Sequence, residues 1–222
     1  MGGPHTPYAA PRFIDHRSRV GTRPAEPEAG ARRHPLIGVR CEQRAVTSPA
    51  TLLTFGHGLA TREPLAALLH GAGVGAVIDV RTAPGSRRNP DVGREVLREW
   101  LPAQGIDYRW EKRLGGFRKV ERDSPDVFWE NDSFRGYAGY TRHPDFLSAM
   151  EDVLRQAAAV RTAIMCAETL WWRCHRRIIA DFAVMASHAR VLHLGHDGRL
   201  TEHRPTTGAR LRGDGLLVYD RV

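Results

Sequence analysis

From residue 51 onwards, short apolar runs alternate with segments whose apolar residues recur every three or four positions, the pattern of strands followed by helices. Thr51-Leu52-Leu53-Thr54-Phe55 predicts a strand that ends in Gly56-His57-Gly58. Thr61 then caps a predicted helix carrying Leu65, Leu68 and Leu69, which Gly71 and Gly73 stop. Residues 76–81 predict a second strand, interrupted by one carboxylate, Asp79. After the loop Pro84-Gly85-Ser86-Arg87-Arg88, Asn89-Pro90 predicts the cap and first residue of a helix. Val92, Val96, Leu97, Trp100 and Leu101 share a face of it, and residues 107–110 predict a third strand.

Residues 114–140 read as one long irregular stretch, rich in Gly, Arg and aromatics, of a length that is usually functional in a compact domain. Pro144 opens a helix with Phe146, Leu147, Met150, Val153 and Leu154 inward. Thr162-Ala163-Ile164-Met165 predicts a strand delivering Cys166 at its carboxyl end, and Ile178, Ile179, Phe182, Met185 and Ala186 mark the next helix. A fifth strand over 191–194 leads to His196-Asp197-Gly198, a turn into a terminal hairpin. The alternation predicts a single compact α/β domain over about residues 51–205, with a mostly parallel sheet and helices on both faces. Residues 206–222 are set apart as a C-terminal extension. Residues 1–50, rich in Arg, Pro and Gly without a sustained period, predict a disordered tail, and Cys41 within it has no assigned role.

Composition narrows this picture in four ways. With 41% hydrophobic residues in 222, the chain can bury a sizeable core. No apolar run approaches the roughly 18 to 20 residues that span a bilayer, so no membrane partner is expected. Three cysteines do not make a disulfide framework, and a reducing cytoplasm with free thiols is the expectation. A net charge of +8 suits an anionic partner such as DNA, RNA or a nucleotide. Half of that excess falls within residues 1–50, however, and the basic residues are nearly all arginine, a bias that can also reflect genome composition.

Candidate chemistry concentrates in Cys166-Ala167-Glu168 and Cys174-His175-Arg176. A strand end followed by a helix start is where open α/β sheets bind ligands and where thiol pKa values fall. The cysteines could be a nucleophile and its neighbour, a redox pair, metal ligands or small buried apolar residues. Seven intervening residues do not match the usual short ligand pair, so a metal would need His175, His57 or a further group, and no metal ligand is assigned. Cys166, at the end of an apolar run, is expected to be the less accessible thiol, and Cys174, beside a helix start, the more reactive. Asp79 needs a cationic partner, and Arg81 or Arg87 could serve. Asp79-Val80-Arg81 is similar to a segment of rhodanese sulfurtransferases, but the Cys166 loop carries two tryptophans and no glycine, a poor anion cradle.

Together, Phe55-Gly56-His57, Asp79-Val80-Arg81, Pro84-Gly85-Ser86-Arg87, Leu114-Gly115-Gly116, Phe134-Arg135-Gly136-Tyr137, Cys166-Ala167-Glu168 and Cys174-His175-Arg176 resemble the domain-of-unknown-function 488 family. The resemblance spans about residues 52–195. It implies a compact cytoplasmic α/β domain with a polar rim and supplies no reaction. The expected site joins Cys166, Glu168, Cys174, His175 and His57 as catalytic groups with Arg81, Ser86, Arg87, Arg135, Tyr137 and Arg176 as substrate contacts. Its expected function is an enzyme or binding protein acting on a nucleotide or nucleic acid, anchored at phosphate and directed at base or sugar. Cysteine-based sulfur transfer or thiol redox chemistry is the alternative, and a non-catalytic nucleic-acid-binding module is a third. No cofactor is identifiable from the sequence.

Overall fold

A computed structural model of the chain describes residues 49–85 and 89–221, so residues 1–48 of the predicted disordered tail, Cys41 among them, and Ser86 and Arg87 lie outside the described residues. The domain is built on a six-stranded sheet: β1 (Thr51–Gly56), β2 (Ala76–Asp79), β3 (Asp107–Trp110), β4 (Thr162–Cys166), β5 (Arg190–Leu194) and β6 (Leu200–Glu202). Its order is β3-β2-β4-β1-β5-β6, parallel except for β6, which turns back on β5. Five α-helices flank it: α1 (Arg62–Gly71), α2 (Arg94–Ala103), α3 (Asp132–Tyr140), α4 (Pro144–Ala159) and α5 (Arg176–Met185).

Successive strand residues point to opposite faces, and each face has its own core. Leu53, Phe55, Val77, Ala163 and Met165 pack under Leu65 and Leu69 of α1 and Leu97 and Leu101 of α2. Leu52, Ile78, Val80, Ile164 and Cys166 pack under α3, α4 and α5 through Tyr137, Phe146, Met150, Val153, Ile178 and Phe182. The chain therefore leaves β1 towards one face through α1, and leaves the adjacent β4 towards the other through α5. Neighbouring strands whose connections diverge open a crevice at their carboxyl ends. Here that crevice lies beyond Gly56 and Cys166, which pair in register.

Two segments differ from the sequence expectation. Pro90–Val92 forms a separate turn of 3₁₀ helix and α2 begins only at Arg94, while the Asn89 amide donates to the Ala60 carbonyl at 2.8 Å. The stretch 114–140 ends in α3 rather than remaining irregular. Asn131 caps that helix, its side-chain oxygen accepting from Ser133 N at 2.9 Å and Phe134 N at 3.3 Å. Gly136 and Gly139 weaken its helical signal. Gly136 is nonetheless required, because a Cβ there would collide with the Arg118 backbone.

The C-terminal residues, set apart in sequence as an extension, pack into the core beneath α3 and α5. Ala209, Leu217 and Tyr219 belong to that cluster, and β7 (Arg210–Leu211) pairs with β8 (Leu217–Val218). Two buried carboxylates hold the segment. Asp126 accepts from Tyr219 N at 3.1 Å and from Arg142, and Asp181 accepts from Tyr219 Oη and from His203 Nε2, each at 2.8 Å. His203 Nδ1 pairs in turn with His193 Nε2 at 2.9 Å. His193 Nδ1 is hydrogen-bonded to Thr54 Oγ1 at 2.7 Å, and the ring stacks on Trp171.

Burial, then His203 and Arg176, push the pKa of His193 down to about 3 from 6.5. A histidine held neutral in the fold but free to protonate when unfolded contributes stability that is complete above about pH 6.5 and lost as pH falls towards 3. The urea midpoint should therefore fall between pH 7 and pH 5, with on the order of 2 kcal/mol coming from this ring. An unchanged midpoint would show that His193 protonates freely within the folded protein.

Candidate functional site

A cavity of about 700 Å³ opens at the carboxyl ends of β1, β2 and β4. His57, Arg81, Tyr137, Cys166, Glu168, Cys174 and His175 line it, joined by Thr82, Gly116, Phe117, Phe134 and Arg173. The rim is set by backbone pairing that continues past the strands. His57 N donates to Cys166 O at 3.0 Å and Gly58 N to Ala167 O at 3.1 Å. Gly56 makes this closeness possible, since a Cβ there would strike the Glu168 carbonyl.

Asp79 and Arg81 form the floor. Arg81 Nε donates to Asp79 Oδ1 at 2.8 Å and Nη2 to Oδ2 at 2.5 Å, with both side chains buried. Tyr108 Oη donates to the same carboxylate at 2.8 Å, and Arg81 Nη2 also reaches the Val92 carbonyl. The fourth contact is from Arg81 Nη1 to His57 Nε2 at 3.2 Å. His57 Nδ1 donates to its neighbour's carbonyl, Gly58 O, at 2.9 Å, so Nε2 is the bare nitrogen and the ring is neutral. Burial and the Arg81 charge push its pKa down to about 4. With both nitrogens engaged, His57 positions the floor and holds no free lone pair for substrate.

The reactive centre is above. His175 Nε2 donates to the Val80 carbonyl at 3.1 Å, an atom that can only accept, and this sets the orientation of the ring. Its Nδ1 faces both sulfurs, at 3.5 Å from Cys174 Sγ and 3.9 Å from Cys166 Sγ. The three atoms all lie within 4.8 Å of one another, so the fold assembles a potential metal-ligand set that sequence spacing did not assign. Tyr137 packs its ring against His175, 5.0 Å between centroids. Its hydroxyl is spent on the Leu114 carbonyl at 2.7 Å, so it supports the centre rather than the substrate.

Arg176 explains the state of the thiols. Only 1% exposed, it donates to the Glu168 and Thr169 carbonyls and, through Nε, to Cys174 Sγ at 3.5 Å. No carboxylate pairs with it among the described residues. A buried guanidinium stays charged and needs an anion, and the sulfur is the group in reach. The Cys174 pKa accordingly lies well below the usual thiol value, through the hydrogen bond from Cys166 first and then His175 and Arg176. Cys166 is driven well above it by the same bond to Cys174 and by burial. This direction matches the expectation, but accessibility does not supply it: Cys166 is 8% exposed and Cys174 5%. Cys174 also precedes α5, whose N-cap is His175.

Three expected anion contacts are committed elsewhere. Arg81 is locked to Asp79, and Arg176 lies beneath the pocket wall. Arg135, on α3, sends Nη2 to the Ser124 carbonyl at 3.2 Å and does not line the cavity. Ser86 and Arg87 lie outside the described residues. Sequence reasoning missed Phe117 and Arg173, both on the lining. The signal for Phe117 was slight: an apolar residue after Gly115-Gly116 in a long loop.

Fold and cavity define an α/β protein with a cysteine–histidine centre at the topological switch of a parallel sheet. A family model described as "Domain of unknown function DUF488" matches residues 61–183, more than half of the 222-residue chain, and the chain belongs to that family. No curated protein and no solved structure matches it significantly. Among the described residues no helix is long and apolar enough to cross a membrane.

Replacing Arg81 by Met should strand the Asp79 carboxylate and cost about 3–5 kcal/mol in chemical denaturation. A loss below about 1 kcal/mol would show that the ion pair does not hold the floor.

Proposed function

We propose that the protein is an enzyme acting on a base-bearing substrate, a nucleotide or a nucleic-acid base, within this cavity. Phe117 carries the reading. It is 86% exposed, lines the cavity, and has φ of 59°, a left-handed conformation that costs a bulky residue about 1–3 kcal/mol. A strained, solvent-facing aromatic ring at a cavity mouth suits stacking on a planar group. Phe134, stacked on Trp129 at 4.9 Å, extends the apolar wall.

Arg173 supports phosphate contact in place of the committed arginines. It lines the cavity, is exposed, and makes no ion pair among the described residues. Glu168 is the proton carrier in this reading: it is exposed on the lining, with Oε1 accepting from Leu170 N at 3.3 Å. The reaction class is hydrolysis or group transfer at a base or sugar, carried out in a reducing cytoplasm that keeps both thiols free. One observation favours the second reading, thiol redox or sulfur transfer: the two sulfurs lie within 4.8 Å of one another, with His175 Nδ1 and Arg176 Nε each 3.5 Å from Cys174 Sγ.

Binding of nucleoside monophosphates, followed by calorimetry, tests the proposal. Wild-type protein should bind them more tightly than ribose 5-phosphate, which lacks the base. Phe117→Ala should weaken nucleotide binding about 5- to 100-fold, the range of one base–aromatic stack. Equal affinity for ribose 5-phosphate and nucleotides, or no change in Phe117→Ala, would overturn it.

A further inference from the structure

We propose that Cys166 Sγ, Cys174 Sγ and His175 Nδ1 are the three protein ligands of a zinc ion whose fourth position opens into the cavity. The inference rests on the cavity being the reaction site, but on no particular substrate. Zinc bonds of about 2.3 Å to sulfur and 2.0–2.1 Å to nitrogen, at tetrahedral angles, place the two ligand atoms about 3.5 Å apart. The two sulfur-to-nitrogen distances here are 3.5 and 3.9 Å. Both sulfur-to-nitrogen edges are therefore close to that spacing, and all three atoms lie within 4.8 Å of one another.

Four independent features agree with a metal. His175 donates from Nε2 to a backbone carbonyl, the outer contact that fixes a ligating imidazole with its other nitrogen bare. Gly116 leaves the approach to that nitrogen clear, because a Cβ there would sit 3.3 Å from Nδ1. Arg176 donates to Cys174 Sγ, stabilising a ligating thiolate. All three ligand residues line the cavity, so the remaining coordination position is on its open side. Two thiolates and an imidazole are a soft set that suits zinc over magnesium or calcium. Three protein ligands with one open position are the arrangement of a catalytic rather than a structural zinc. Glu168, on the same lining, is the carboxylate this proposal assigns to proton exchange with a water held there.

The full-length chain, purified without chelator, should contain about one zinc per molecule by elemental analysis. Cobalt added to chelator-treated protein should produce thiolate-to-cobalt charge-transfer absorption and the intense visible bands of a tetrahedral ion. His175→Ala should abolish both. Should that variant fail to fold, peptide mapping of the wild type decides: zinc should slow alkylation of Cys166 and Cys174 at least tenfold, and a chelator should restore it. Absence of metal from the purified protein, with alkylation of both cysteines indifferent to added zinc, would overturn the proposal. Nucleotide binding without zinc would sink the metal site alone; zinc without nucleotide binding would sink the substrate reading alone.

Discussion

Arg176 is a guanidinium enclosed by protein and met by no carboxylate among the described residues, and the site is arranged around that demand. Its Nη2 gathers the Glu168 and Thr169 carbonyls, fixing the loop that follows β4 against Gly56 of β1. Its Nε is directed at Cys174, where a thiolate supplies the missing negative charge. Cys166 then keeps its proton and donates it to its neighbour, so the two thiols are unequal although they are almost equally buried. His175 completes the centre: its Nε2 donates to the Val80 carbonyl, and that contact directs Nδ1 at the sulfurs.

The surrounding fold makes that centre rigid on one side and open on the other. Beneath it, the Asp79–Arg81 pair and neutral His57 tie the ends of β1 and β2 together in a closed set of hydrogen bonds. Behind it, Tyr137 and the core under α3, α4 and α5 exclude water. In front is the cavity, with Phe117 at its mouth. Polar groups that are fully satisfied preorganise a site, whereas exposed strained ones meet ligand.

Much of this was legible in the sequence. The period-two and helical patterns located the five parallel strands and four of the five helices, because each buries an apolar face on a two-faced sheet. Strand ends alone gathered His57, Arg81, Ser86 and Cys166–Glu168 on one rim, and of these His57, Arg81, Cys166 and Glu168 line the cavity while Ser86 lies outside the described residues. What the sequence concealed has physical causes. The helix carrying Tyr137 was hidden by two glycines, one demanded by backbone contact with Arg118. The roles of Arg81, Arg135 and Arg176 depended on partners distant in sequence or supplied by carbonyls, which residue type does not reveal. The C-terminal residues looked detachable because their anchors, Asp126 and Asp181, lie up to 93 positions away. The ligand geometry of Cys166, Cys174 and His175 arises from a loop that folds back on itself, not from a spacing.

The thiolate on Cys174 is the central claim, and its alkylation profile tests it most directly. In chelator-treated protein, peptide mapping after brief exposure to iodoacetamide gives a rate for each cysteine across pH. The account predicts that Cys174 reacts faster than Cys166, at a rate nearly level from about pH 6 to about pH 8, because its thiolate is already formed. A Cys174 rate climbing about tenfold per pH unit across that range, as for an ordinary thiol, or faster labelling of Cys166, would contradict it.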